Sequence, residues 1–315
     1  PLVRWFVGAH TSAAFNEIDR HVLTGHAGET AFICEADGEH PQQPVCVSRD
    51  KLLVDSTLAA HALRDSLGVE HGSRITIYLP NDALAVVWMA AAKRLGAPYT
   101  AVAAGTASSL LADRLADTAA AVLVTGGDGQ AEAVLQALTK LPCEAPAVVV
   151  TRGAIASGWL DASALQKVSR ERLASVERDA LHDGLKRSEL VRALWTLAPP
   201  RAVEASHPLF ILYTSGSTGK PKGIVHVHGG YVVGLVVTSA LVFNIQPARD
   251  VAFVVATPGW ITGQSYMIAA PLLCRVPSVL LDGSPVKPPD RFAAVIARHQ
   301  VTIFKAGSTF LRMLM

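Results

Sequence analysis

The chain has 315 residues, half of them apolar, and a formal net charge of +2, with a mean hydropathy of +0.32. That length accommodates two packed layers around a large core, and the near-neutral charge excludes the basic footprint of a nucleic-acid or anionic-membrane binder. The most apolar stretch, residues 231–243, is interrupted by Gly234, Thr238 and Ser239 and falls short of the ~18 consecutive apolar residues a membrane-spanning helix needs.

Residues 1–50 carry little periodic pattern and read as a packing arm, with a short strand at residues 31–34. From residue 51 the pattern is regular. Leu52, Leu53, Leu58, Ala59, Leu63 and Leu67 recur at helical spacing and Gly68 ends the helix. A strand follows at 74–79, then a helix at 83–95 with Asn81 or Asp82 as its cap and Gly96 as its stop. Strands at 99–102, 121–124 and 147–150 alternate with helices near 108–117 and 130–138, the signature of a mostly parallel sheet flanked by helices. Gly126-Gly127-Asp128-Gly129 lacks the GxGxxG spacing of a dinucleotide turn, and a tight strand-to-helix turn is sufficient. Charges of both signs interleave along Arg170-Glu171-Arg172, Glu177-Arg178-Asp179 and Lys186-Arg187-Ser188-Glu189, the pattern of a solvated face. Pro199, Pro200 and Pro208 mark a break, so the expected division is an arm at 1–50, a first α/β subdomain at 51–200 and a second at 201–315. Alternation resumes with strands at 251–256, 278–281 and 301–304 and helices at 264–273 and 289–298.

Between residues 209 and 231 the chain reads LFILYTSGSTGKPKGIVHVHGGY. An apolar strand, residues 209–213, runs into Thr214, Ser215, Gly216, Ser217, Thr218, Gly219, Lys220, Pro221, Lys222 and Gly223, and a second strand follows at 224–227. The glycines admit positive φ and close backbone approach, so successive N–H groups can converge on an anion. The hydroxyls add donors, and Lys220 and Lys222 add charge with Pro221 restricting the chain between them. Each charge-assisted bond to phosphate is worth roughly 1.5–3 kcal/mol, so three or four hold a triphosphate tail. A glycine- and serine-rich linker is the other reading, but linkers rarely sit between two apolar strands. The spacing is not that of a Walker P-loop, which opens a helix.

The run YTSGSTGKPKGIVHVHGGY resembles the phosphate-binding signature of the adenylate-forming enzymes: acyl-CoA synthetases, adenylation domains and luciferases. LFILYTSGSTGKPKG and HGGY are similar to its acetyl-/propionyl-CoA synthetase branch. GWITGQSY and the tail FKAGSTFLRMLM resemble most the ligase part of multifunctional propionyl-CoA synthases, which act on 3-hydroxypropionate. The resemblance implies an α/β fold, the incomplete large N-terminal domain of an adenylate-forming enzyme, with mostly parallel sheets flanked by helices. It implies activation of a short carboxylate (3-hydroxypropionate, propionate or acetate) to an acyl-adenylate and then an acyl-CoA. ATP, magnesium and coenzyme A are the implied substrates of the complete enzyme. Thr214 and Lys222 take the catalytic role, and Thr214, Ser215, Gly216, Ser217, Thr218, Gly219, Lys220 and Lys222 hold the phosphates. His226, His228 and Tyr231 follow closely; each histidine is read first as a strand residue.

In the same branch a run like Thr257-Pro258-Gly259-Trp260-Ile261-Thr262-Gly263 lines the acyl pocket, which maps that role onto Trp260, Ile261, Thr262 and Gly263. Ile261 has one methylene more than the valine of a strict acetate enzyme, and a methylene is worth ~1–3 kcal/mol in such a pocket. No metal-ligand cluster is expected, and the spaced Cys34, Cys46, Cys143 and Cys274 read as reduced thiols of a cytoplasmic protein. The first residues lack both a signal-peptide layout and an initiator methionine, and the last seven read as an interrupted helix. The expectation is therefore a piece of a longer polypeptide, inactive alone. It lacks the downstream adenine and ribose motifs, the small C-terminal domain with its lysine, and, at Gly126–Gly129, the arginine that holds the CoA nucleotide in this branch. Two other readings stay open: a non-catalytic nucleotide-binding or assembly segment of a multifunctional protein, and an adenylation domain that loads a carrier protein.

Overall fold

Parallel strands covered on both faces need continuous apolar runs, and the chain supplies them in order. The strands are β1 (His10–Thr11), β2 (Thr30–Glu35), β3 (Val45–Ser48), β4 (Ile75–Leu79), β5 (Tyr99–Ala103), β6 (Val122–Thr125), β7 (Ala147–Val150), β8 (Leu160–Asp161), β9 (Val203–Glu204), β10 (Pro208–Thr214), β11 (Lys222–Val227), β12 (Ala252–Val255), β13 (Ser278–Leu281) and β14 (Ile303–Ala306). They come from a computed structural model that describes residues 5–37, 43–181, 187–214 and 221–315.

Three sheets form. A seven-stranded sheet has the order β11-β10-β5-β4-β6-β7-β8, parallel throughout except for the β10–β11 hairpin. A five-stranded sheet has the order β14-β12-β13-β2-β3, antiparallel only between β2 and β3. β1 and β9 make a two-stranded ribbon. Sheet membership thus cuts across the limits expected at residues 50 and 200. The hairpin that carries the phosphate loop joins the first sheet, because Phe210 pairs beside Tyr99. Residues 30–48 join the second, where Phe32 lies beside Ser278.

Between the sheets lie the helices Arg49–Leu67 and Ala83–Leu95 and the wider-wound segment Gly263–Ala269. Asp82 caps Ala83–Leu95 by accepting from the Ala85 N–H at 3.1 Å, and Gly68 and Gly96 close the two long helices with left-handed backbones. Almost every residue of Ala83–Leu95 is buried, as a helix packed on both sides must be. One continuous apolar core runs from Phe32 through Leu52, Leu63 and Trp88 to Ile75, Tyr99, Val254 and Leu280, crossing both large sheets. Arg170, Glu171 and Arg172 are exposed and Leu173 buried, the solvated face expected there. Side chains 177–179 and 186–187 lie outside the described residues.

The N-terminal segment departs from a patternless arm. Phe15–Asp19 and Arg20–Leu23 are helical, and they bury charge against Ala83–Leu95. Lys93 donates to both Glu17 oxygens at 2.9 and 2.7 Å, and Arg94 donates to Asp19 at 2.6 Å. All four side chains are at most 2% exposed. Trp195 Nε1 adds a second donor to Asp19 at 2.7 Å. Buried ions persist only when paired in this way, so the segment is latched to the central helix.

Candidate active site at the carboxyl edge

Ligands of open parallel sheets bind outside the carboxyl ends of the strands, and the two stretches singled out in the sequence both reach that edge. β10 delivers Thr214 directly opposite Lys222 in the hairpin register, and both are exposed. Ser215, Gly216, Ser217, Thr218, Gly219 and Lys220 lie outside the described residues. Below Thr214 the strand is braced: Tyr213 donates to Asp117 at 2.5 Å, and the Arg114 guanidinium lies 5.7 Å from the ring centre. Burial and the Asp117 carboxylate raise the phenol's pKa, so Tyr213 stays a neutral donor. A β-carbon on Gly223 would stand 3.1 Å from Ile211 and 3.3 Å from Tyr213, which accounts for a glycine at the loop's exit.

The second stretch follows β12. Trp260 N–H bonds to Thr257 O at 3.1 Å and Gln264 N–H to Trp260 O at 3.0 Å, turning strand into helix. Two glycines permit the turn. A β-carbon on Gly259 would stand 3.1 Å from Ala103 N, and one on Gly263 would stand 1.9 Å from Thr257 O. The turn therefore abuts the end of β5, which is the neighbour of β10 in the sheet. Adjacent strands lie ~5 Å apart, so the phosphate-loop strand and the Trp260 turn are one strand apart at the same edge. Trp260 is 68% exposed and Ile261 42%, Thr262 is half-buried, and Gly263 is buried.

Beside the turn a cavity of about 420 Å³ opens between the sheets, lined by Asn81, Ala103, Ala104, Thr257, Pro258 and Leu281 among others. Asn81 spans the gap: its amide donates to Leu281 O at 3.0 Å and Ala256 O at 3.3 Å, tying the end of β4 to the ends of β13 and β12. Among the described residues the Asn81 Oδ1 and Thr257 Oγ1 atoms are buried without a hydrogen-bond partner, an exception to the usual pairing of buried polar atoms.

The chain matches the AMP-binding enzyme family over residues 21–315. It belongs to that family. Over the whole chain it is 35% identical to an acetyl-coenzyme A synthetase of Mycolicibacterium smegmatis, covering 32% of that protein, and 35% identical to a 3-hydroxypropionyl-coenzyme A synthetase of Sulfurisphaera tokodaii, covering 46%. It is 32% identical to an acetyl-coenzyme A synthetase 2 of Candida albicans over 98% of the chain and 44% of that protein. The chain thus spans from about a third to just under half of the length of these curated relatives.

In this AMP-binding domain the residues after the loop make internal contacts. His226 stacks on Phe210 at 4.6 Å. Tyr231 donates to Ser265 Oγ at 3.2 Å. His228 is 2% exposed, and burial pushes its pKa down to about 3. Gly126 and Gly127 serve a tight turn, since a β-carbon on Gly127 would meet Ala154 O at 2.0 Å. Gln264 is the residue that sequence reasoning passed over. It is 1% exposed, accepts from Tyr99 Oη at 2.6 Å and donates to Pro258 O at 2.7 Å, so it locks the Trp260 turn to β5. Its one local signal is a long amide side chain just inside a glycine-led helix. Among the described residues no group of three or more His, Cys, Asp or Glu is placed to hold a metal, and no helix is long and apolar enough to cross a membrane.

Proposed function

We propose that this domain activates a short-chain carboxylate at the expense of ATP and passes the acyl group to the thiol of coenzyme A, as part of a polypeptide as long as its relatives. The observation that carries this reading is the juxtaposition of the Thr214–Lys222 hairpin mouth and the Trp260 turn one strand apart, beside a cavity between the sheets.

In the first half-reaction a carboxylate oxygen bonds to the α-phosphorus of ATP and the bond to the β-phosphate bridging oxygen breaks, releasing pyrophosphate. Negative charge grows on the leaving group, and prepositioned donors that meet it accelerate the step. Thr214, Ser215, Gly216, Ser217, Thr218, Gly219, Lys220 and Lys222 supply those donors, with the exposed Lys222 ammonium the favoured charge partner. Magnesium arrives bound to the triphosphate and screens its charge. Trp260, Ile261, Thr262 and Gly263 form the wall against which the acyl chain lies. In the second half-reaction the CoA sulfur bonds to the acyl carbon and AMP leaves.

Pyrophosphate release by the complete polypeptide against acetate, propionate, acrylate and 3-hydroxypropionate, with and without CoA, tests the proposal. Lys222→Ala is expected to lower kcat/KM at least tenfold, the loss of one charge-assisted phosphate contact. Release with no acid, or an unaffected Lys222→Ala protein, refutes it. Exchanging CoA for a pantetheinylated carrier separates a CoA acceptor from a carrier-protein acceptor.

A further inference from the structure

Among the described residues one cation near the site, Lys305, has no counter-charge. Lys305 Nζ sits 3.6 Å from the centre of the Tyr266 ring and 5.2 Å from that of Phe243, and the two rings meet edge to face at 5.3 Å. Among the described residues it makes no ion pair and no hydrogen bond. The rings attract an ammonium through their quadrupoles but offer it no acceptor oxygen. Burial lowers the Lys305 pKa with nothing opposing it, as expected of a desolvated ammonium without a carboxylate.

Its position follows from strand register. β14 pairs with β12 so that Lys305 lies beside Val254 and Ala306 beside Val255, at the carboxyl edge from which the Trp260 turn springs. Tyr266 belongs to the helix that this turn opens. Ile261 and Thr262 precede it by five and four residues, one turn away on the same side of a wide-wound helix. The Lys305 ammonium, the Tyr266 ring and the Thr262 hydroxyl therefore belong to one wall.

We propose that Lys305 determines acyl specificity: its ammonium, steadied by Tyr266 and Phe243, donates to an acceptor oxygen at the far end of the acid. The preferred substrate is then a short carboxylate with a distal hydroxyl or second carboxylate, and a plain alkanoate is disfavoured. This rests on the ligase reading above. A purely apolar chain would cover the ammonium without satisfying it, which costs free energy, whereas a distal oxygen forms a charge-assisted hydrogen bond.

The test is kcat/KM for pyrophosphate release by the complete polypeptide with propionate, 3-hydroxypropionate, malonate and succinate. The unmodified protein is expected to favour an oxygen-bearing acid over propionate; whether the hydroxy acid or a dicarboxylate wins identifies the acceptor. Lys305→Met is expected to lower kcat/KM for the favoured acid roughly 10–100-fold and to leave propionate within about threefold. Lys305→Arg should retain the preference. Propionate turnover by the same preparation reports that the variant is folded. A preference for propionate in the unmodified protein, an unchanged ratio in Lys305→Met, or an equal loss on every acid overturns the assignment of Lys305 while leaving the ligase reading intact. Silence of the unmodified protein with every acid refutes that reading and this inference with it.

Discussion

Replacing Gln264 by leucine removes the lock on the Trp260 turn at nearly constant volume. The side chain is buried and uses both ends: Oε1 accepts from Tyr99 Oη at 2.6 Å and Nε2 donates to Pro258 O at 2.7 Å. In Gln264→Leu the buried Tyr99 hydroxyl and the Pro258 carbonyl both lose their partner. An orphaned buried group costs about 1–3 kcal/mol, so the variant should lose roughly 2–6 kcal/mol. Tyr99→Phe alone orphans only Oε1 and should cost about 1–3 kcal/mol. The double variant strands neither the hydroxyl nor Oε1, so it should be more stable than the sum of the two singles implies, by about 2–6 kcal/mol. Urea unfolding followed by circular dichroism measures all three. The same freedom in the turn should raise KM for the acid in the complete polypeptide, since Trp260, Ile261 and Thr262 ride on it. A Gln264→Leu cost below about 0.5 kcal/mol, or costs that simply add, would show that this hydrogen-bond pair does not hold the turn.

Three further outcomes follow from the same structure. Glu17→Gln strands the Lys93 ammonium in the core, where breaking one side of a buried ion pair costs about 3–5 kcal/mol; Glu17→Met with Lys93→Met should recover most of it, and a single-variant loss under about 1 kcal/mol in urea contradicts the latch. His228 has a folded pKa of about 3 against ~6.5 in the unfolded chain. The unfolded chain therefore binds the extra proton between those values. Stability is complete above pH 6.5 and lost as pH falls toward 3, by about 2 kcal/mol at pH 5. His228→Leu should flatten that part of the profile, and equal urea midpoints at pH 7.5 and 5 in the parent chain would rule the effect out. Gly263→Ala puts a β-carbon 1.9 Å from Thr257 O, so the turn must open; a loss of about 1–3 kcal/mol with a raised KM for the acid is expected, and an unchanged melting temperature counts against it.

What the amino-acid order determined by itself was local. Helix Ala83–Leu95 and strands Ala147–Val150 and Ser278–Leu281 have the limits read from periodicity and glycine stops, because propensity, capping and burial pattern act within a few residues. The long Ser/Thr/Gly/Lys run pointed to the family for the same reason. The helical segment Phe15–Leu23 escaped notice because so short a stretch shows little apolar periodicity, and its buried Glu17 and Asp19 find their partners only when Lys93 and Arg94 are brought against them. Only the tertiary structure decided that the loop hairpin joins the first sheet and residues 30–48 the second, that Gln264 meets Tyr99, and that Lys305 meets Tyr266. Such pairings are chosen by burial and register between segments far apart in the chain, and no periodicity within either partner records them.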